Sequence, residues 1–366
     1  MSKRLEVNYQ KKPCYSILIE HDFLSLKEEL FALGYENRKL VIMTDETVAK
    51  FYLEEVKQVL LSVSTQVFSH VFKAGEEYKN LDSVQEGYSF LIENKIDRKD
   101  VLIALGGGVV GDMTGYIAAT YLRGIDFVQI PTTLLAQLDS SIGGKTGVDF
   151  LQYKNMVGAF KMPTLVYMNL SLLSTLEDRQ FYNGFAEAMK HGLIRDALYY
   201  EWIISYMYEI CDRDPETLEQ LIFRSCEIKK AIVEKDPLEK GDRALLNFGH
   251  TLGHAIEKYK NFTLLHGECV ALGCVAAAFI SWKKQLLSME EYYEVRDMFV
   301  PFQLPISIED IEVDRIIEIT KSDKKMEQGN IKFILLKKIG KAVIDTGVTE
   351  EEIKNAMEEL IYKDEF

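Results

Sequence analysis

Through about residue 170 the chain alternates short β-branched apolar runs with segments of helical period, the texture of a doubly wound α/β unit. LEVNYQ and YSILIE read as an opening strand pair, and KLVIMTD, TQVFSHVF, VLIALGGG and FVQIPTT as further strands. LDSVQEGYSFLIENKI has the period of an amphipathic helix between two of them. From Glu177 onward helical periods run almost without interruption, which predicts a mostly α-helical second domain. IKFILLKKIGKAVIDTG, two alternating runs about Gly340, predicts a late hairpin. The expected division is an α/β domain over 1–170 and a helical domain over 171–366.

One helical run carries an unusual polar stripe. In RALLNFGHTLGHAIEKY the side chains Arg243, Asn247, His250, His254 and Glu257 recur at steps of four, three, four and three. On one continuous α-helix these steps put all five on a single face. Two imidazoles one turn apart are a metal half-site, and a guanidinium and an amide beside them suit an anionic, hydroxylated ligand. HxxxH spacing alone also arises from ordinary interior histidines bonded to carbonyls. Three features weigh against that: His266 follows in LLHGE at the next turn or helix start, Glu187 and Lys190 lie one turn apart in GFAEAMKHG, and a glycine-rich turn lies upstream.

That turn is LIALGGGVVGDMTGYIAATYL, a buried strand, a run of glycines and a helix; read from Gly106, Gly108 and Gly111 it fits GxGxxG. Glycines let a backbone pass close to a pyrophosphate, whose charge is met at the helix start. Here the turn follows several strands, while Asp45 ends an earlier one, so an ordinary Rossmann dehydrogenase is not expected. Further on, Thr132, Thr133, Asp139, Ser140, Ser141, Lys145, Lys154 and Asn155 crowd between apolar flanks. Its lysines can bind phosphate as point charges, but GGKTG does not complete a P-loop.

Composition narrows the function. The 366 residues suffice for two cores, and a formal net charge of −14 without a basic run argues against a nucleic-acid partner. An anionic substrate must therefore be drawn by local lysines and arginines. The chain has no apolar run long enough to span a membrane, and MSKRLEVNYQKKPC lacks the apolar segment of a signal peptide, so a cytoplasmic protein is expected. Five scattered cysteines without a CxxC read as reduced thiols.

AGEEYK, GGGVVGD, RGIDFVQIPTTLLAQLDSSIGGKTG, KNMVGAF, GFAEAMKHG and RALLNFGHTLGHAIE occur in this order over roughly residues 40 to 340, and in this the chain resembles the 3-dehydroquinate synthases of the shikimate pathway. The resemblance implies an N-terminal NAD-binding α/β domain, a mostly helical C-terminal domain, a cleft between them and a homodimer. Its implied metal ligands, for zinc or cobalt, are Glu187, His250 and His266, with His254 serving the substrate; His254 as third ligand is the alternative that helix spacing alone leaves open. The implied NAD contacts are Asp45, Glu76, Lys79, Gly107, Gly108, Val109, Asp112, Thr132, Thr133, Lys145, Lys154 and Thr175.

Substrate or catalytic positions implied in the same way are Asp139, Lys145, Lys154, Asn155, Lys190, Lys229, Arg243, Asn247 and His254. Arg123 would reach a neighbouring subunit's site, and Lys324 or Lys325 would add an anion contact, Lys325 being preferred. The sequence departs from the family at Thr47 (asparagine expected), Tyr153 (glycine) and His191 (tyrosine). The implied reaction takes 3-deoxy-D-arabino-heptulosonate 7-phosphate, an anionic sugar phosphate, through transient oxidation, phosphate elimination, re-reduction and an intramolecular aldol closure. Cyclases of sedoheptulose 7-phosphate or glucose 6-phosphate are the near alternatives, and their substrates lack the carboxylate that Arg243 and Asn247 suit. A metal-dependent polyol dehydrogenase would instead release NADH. A non-catalytic NAD or metal sensor is disfavoured, because Lys190 and the implied metal ligands are all present.

Overall fold

In the computed structural model, residues 3–151, 153–322, 326–327 and 330–361 are described. The chain divides into two compact units, Met1–Leu176 and Glu177–Phe366. The first is built on a seven-stranded sheet of order β1-β2-β9-β6-β5-β3-β4. Its strands are β1 (Lys3–Tyr9), β2 (Lys12–Glu20), β3 (Leu40–Asp45), β4 (Val67–Phe72), β5 (Val101–Gly106), β6 (Asp126–Pro131) and β9 (Leu165–Asn169). Only the β1–β2 pairing is antiparallel.

Side chains of a strand alternate between faces, and here both faces are apolar. Leu40, Ile42, Val101, Ile103 and Leu105 join one core with Val56, Leu60 and Val128. Val41, Met43 and Leu102 join another with Val84, Met113 and Ile117. The continuous apolar runs in the sequence are therefore central parallel strands covered by helices on both sides.

The polar stretch after FVQIPTT folds into regular elements. A short π-helical turn, Ala136–Ser140, carries Asp139, and an antiparallel hairpin follows, β7 (Lys145–Phe150) with β8 (Tyr153–Phe160). Gly147 and Gly158 face each other across it. A Cβ at Gly147 would lie 2.8 Å from the Val157 carbonyl, and one at Gly158 2.4 Å from that of Thr146, so this close approach needs both glycines.

The second unit is mostly helical, with principal helices Phe185–Arg195, Pro215–Lys235, His250–Tyr259 and His266–Lys283. The expected hairpin about Gly340 is present, Phe333–Lys338 pairing with Lys341–Asp345. The single helix expected to carry the five-residue polar stripe is not. Arg243 and Asn247 lie on a 3-10 turn, Asp242–Asn247; Phe248 and Gly249 form a turn in which Gly249 takes a left-handed φ of +77°, and the α-helix begins at His250.

Packing explains the break. A Cβ at Gly249 would lie 2.5 Å from Cys274 Sγ and 2.8 Å from the Val270 carbonyl, and one at Gly273 would meet the Gly249 carbonyl at 1.8 Å. The chain thus enters the His250 helix with its backbone pressed on the His266–Lys283 helix. Only glycine permits both that conformation and that contact. No helix among the described residues is long and apolar enough to cross a membrane.

Candidate active site

In the α/β unit β3 and β5 are hydrogen-bonded neighbours, and the chain leaves them toward opposite edges of the sheet, β3 to β4 and β5 to β6. The crevice outside the carboxyl ends of two such strands is where open α/β sheets bind ligands. Asp45 ends β3, and its Oδ1 accepts from the Thr47 and Val48 amides at 2.8 and 3.0 Å. After β5, Gly107 caps the Gly108–Thr120 helix. The first-turn N–H groups of that helix have no intrahelical acceptors and lie at its positive end.

Side chains would crowd this turn. A Cβ at Gly107 would lie 3.1 Å from Thr133 Cγ2, and one at Gly108 3.0 Å from Ser140 Oγ. Val109 packs on one core of the sheet. Thr133 Oγ1 accepts from the Ala136 amide at 3.1 Å and so starts the turn that carries Asp139. Thr132 is 4% exposed, and its Oγ1 has no hydrogen-bond partner among the described residues. A buried hydroxyl left in that state is costly without a ligand to meet it.

Five of the expected residues form one network beside the turn. Lys79 Nζ donates to Asp112 Oδ2 and to Asn155 Oδ1, both at 2.7 Å, and Lys154 Nζ lies 3.2 Å from Glu76 Oε1. Burial alone would push Lys79 toward neutrality, but the Asp112 and Glu76 carboxylates outweigh it, so its pKa is raised and it stays charged. Asp149, which no sequence signal singled out, ties the hairpin to this lysine. Its Oδ1 accepts from the Asn155 amide at 2.7 Å, and its own amide donates to the Lys79 carbonyl at 2.8 Å.

Other expected residues lie apart from this network. Lys145 is exposed at the first position of β7. Thr175 shares a hydrogen bond with the Tyr52 hydroxyl. Arg123 is exposed just past the Gly108–Thr120 helix, a rise of roughly 20 Å from the glycine turn.

In the helical unit Glu187 and Lys190, one turn apart and 0% and 1% exposed, form a buried ion pair. Two imidazoles converge on the same carboxylate: His250 Nε2 is 3.5 Å and His266 Nε2 3.8 Å from Glu187 Oε1. Each ring has a partner on its other nitrogen. His250 Nδ1 is 3.1 Å from the Phe248 carbonyl, and His266 Nδ1 is 3.8 Å from Glu257 Oε2. Burial lowers the His266 pKa, but Glu187 and Glu257 outweigh it and lift it to about 9.

His254 packs against both rings, with centroids 5.2 Å from His250 and 5.8 Å from His266. Ligand atoms of the three histidines all lie within 4.8 Å of one another. His191 is buried, with Nδ1 2.6 Å from Ser225 Oγ, so the departure from tyrosine is accommodated inside the unit.

Lys229 is buried on the Pro215–Lys235 helix. Arg243 and Asn247 sit on a connection organised by Asp236, whose carboxylate accepts from the Lys240, Gly241 and Arg243 amides at 2.9, 2.7 and 3.1 Å. Arg243 Nη1 donates to the Pro237 carbonyl and Asn247 Nδ2 to Glu239 Oε1, each at 2.6 Å. Lys324 and Lys325 lie outside the described residues.

This architecture is that of the sugar-phosphate cyclases. The chain is similar to a solved 2-epi-5-epi-valiolone synthase from Streptomyces hygroscopicus with NAD+ and Zn2+ bound (TM-score 0.88, 27% identity, 97% of this chain and 99% of that one). It is also similar to a 2-deoxy-scyllo-inosose synthase complexed with carbaglucose-6-phosphate, NAD+ and Co2+ (TM-score 0.87, 25% identity, 98% of this chain and 100% of that one). The models for the N-terminal and C-terminal parts of 3-dehydroquinate synthase match residues 69–183 and 184–326. A 3-dehydroquinate synthase from Ruminiclostridium cellulolyticum is 43% identical over 96% of this chain and 97% of its own. The chain belongs to the 3-dehydroquinate synthase family. The family's reaction converts 3-deoxy-D-arabino-heptulosonate 7-phosphate to 3-dehydroquinate and phosphate, in the shikimate pathway of aromatic amino-acid biosynthesis.

Proposed function

We propose that the chain carries out this reaction as a carbon–oxygen lyase with NAD and one divalent ion, zinc or cobalt. The observation that carries the reading is the convergence of two imidazole Nε2 atoms on one oxygen of the buried Glu187 carboxylate. Glu187, His250 and His266 would hold the metal: two neutral nitrogens and an anionic oxygen suit either ion and leave coordination positions for substrate. A bound metal would supply Lewis acidity toward a substrate hydroxyl and bound NAD a reversible hydride acceptor, with no net oxidation. Gly107, Gly108, Val109, Thr132 and Thr133 would take the dinucleotide with Asp45, Glu76, Lys79, Asp112, Lys145, Lys154 and Thr175. The glycine turn at a helix start and the buried Thr132 hydroxyl support this.

The chain's own groups supply binding and orientation. Lys229, Arg243 and Asn247 take the substrate carboxylate, with Lys325 as a further cation. Lys145, Asn155 and His254 hold the departing phosphate, and Asp139 and Lys190 complete the substrate contacts. Lys190 also pairs with Glu187. We assign cofactor binding and the substrate contacts of Asp139, Lys145 and Asn155 to 1–170, and the metal with the remaining substrate contacts to 171–366, in a cytoplasmic homodimer with Arg123 reaching the second copy.

The test is to mix the protein with the heptulosonate phosphate, NAD and Zn2+ and to follow inorganic phosphate and absorbance at the NADH band together. Phosphate release without NADH accumulation is expected. Stoichiometric NADH from a simple polyol, with no phosphate, would overturn the reading.

A further inference from the structure

We propose that Glu257 is a positioning residue for the metal centre: through Nδ1 of His266 it sets the ring so that Nε2 faces Glu187. The inference rests on the metal reading above and goes beyond it, since Glu257 is not one of the proposed ligands. Its carboxylate is 2% exposed. It sits two turns beyond His250 on the same helix, and its Oε2 lies 3.8 Å from His266 Nδ1 while His266 Nε2 lies 3.8 Å from Glu187 Oε1. His266 therefore stands between two buried carboxylates, one at each nitrogen.

The other imidazole has the same arrangement with a different acceptor, His250 Nδ1 on the Phe248 carbonyl and Nε2 toward Glu187. A neutral imidazole has one N–H and one lone pair. An acceptor at Nδ1 draws the proton there and leaves the lone pair on Nε2, where a metal needs it. For His250 the backbone supplies that acceptor. His266 is the first residue of its own helix, and there a side chain from the facing helix supplies it.

A carboxylate in this place has a second effect, because it makes the imidazole a stronger donor to the ion. A purely structural role is the competing account: Glu257 would then only pack the contact between the His250–Tyr259 and His266–Lys283 helices. That role would show in the stability of the metal-free protein and not in its metal affinity.

The experiment titrates the metal-free full chain with Zn2+ against a chromophoric chelator, and with Co2+ followed by its visible absorption. Wild type, Glu257→Ala and Glu257→Gln are compared, and the metal-free proteins are also melted. We expect Glu257→Ala to lose roughly 10- to 100-fold in Zn2+ affinity and to change the Co2+ spectrum. Glu257→Gln, which keeps an acceptor oxygen at the same reach, should recover part of both. If Glu257→Ala does not fold, Glu257→Gln carries the test: it should still bind Zn2+ more weakly than wild type, and equal affinity would refute the proposal. Unchanged affinity in Glu257→Ala with a lowered melting temperature would establish the structural role alone. Failure of the wild type itself to take up Zn2+ would overturn the metal reading instead, so the two failures are distinct.

Discussion

Lys79→Met removes the cation from a buried pair and leaves its partner behind. Lys79 is 4% exposed, its Nζ is 2.7 Å from both Asp112 and Asn155, and the Asp112 side chain is 16% exposed. Deleting one member of such a pair costs ~3–5 kcal/mol, because the remaining charge keeps its desolvation and loses its attraction. Asn155 also loses a donor, ~1 kcal/mol, while the partial opening of Asp112 to water returns some of the total. A loss of about 4 kcal/mol is therefore expected, a large part of the ~5–15 kcal/mol by which a domain is stable. Replacing both partners, Lys79→Met with Asp112→Leu, should recover most of it, since no charge is then left buried.

Both tryptophans, Trp202 and Trp282, belong to the helical unit. Indole fluorescence would thus miss the effect, and hydrogen exchange of the β5 amides under native conditions is the appropriate readout. A loss below about 1 kcal/mol in the single variant, or a double variant less stable than the single, would refute the reasoning.

Arg243→Ala should raise the Michaelis constant for the heptulosonate phosphate by roughly 10- to 100-fold, the worth of a charge-assisted hydrogen bond, with little change in NAD affinity. Equal loss of both, by steady-state kinetics and NAD titration, would sink its assignment to the carboxylate. Gly249→Ala must adopt φ +77° and place a methyl 2.5 Å from Cys274 Sγ. The left-handed conformation costs ~1–2 kcal/mol and the overpacking ~1–3 kcal/mol, so a clear drop in the urea midpoint of Trp282 fluorescence is expected and an unchanged midpoint would contradict the packing argument. Burial raises the Asp236 pKa, but the three amides it accepts from outweigh that and lower it. A depressed native value means that its support of the Arg243 loop is complete above ~3.9 and is lost as pH falls through the native pKa. The 13C carboxyl resonance of Asp236 should titrate below ~3.9, and a midpoint above that would refute the account.

The central strands were legible because Leu40–Met43 and Val101–Leu105 are continuous apolar runs, which a sheet covered on both faces demands. The β7–β8 hairpin was not, because two opposed glycines lower strand propensity and the requirement for them comes from the partner strand. The break at Gly249 was hidden for a related reason. The four-three-four-three spacing continues through it unaltered, and what forces the left-handed turn is a helix that begins at His266.

Glu187, His250 and His266 share no local pattern, so the family resemblance rather than spacing suggested them as a set; in the structure the His250 and His266 Nε2 atoms lie 3.5 and 3.8 Å from one Glu187 oxygen. Glu257 was visible as part of the stripe, but its partner was not. Asp149 was invisible, an acid in an alternating VDF run whose importance lies only in two tertiary hydrogen bonds.

His250 and His266 are each the opening residue of a helix, and those helices touch main chain to main chain at Gly249, Gly253 and Gly273. The span between the two imidazoles is therefore dictated by covalent backbone dimensions, with no compressible layer of aliphatic groups in between. Repacking the interior of the helical unit away from that contact can be attempted to raise thermal tolerance without detuning that span. An added methyl at any of the three glycines would act as a wedge and change it directly.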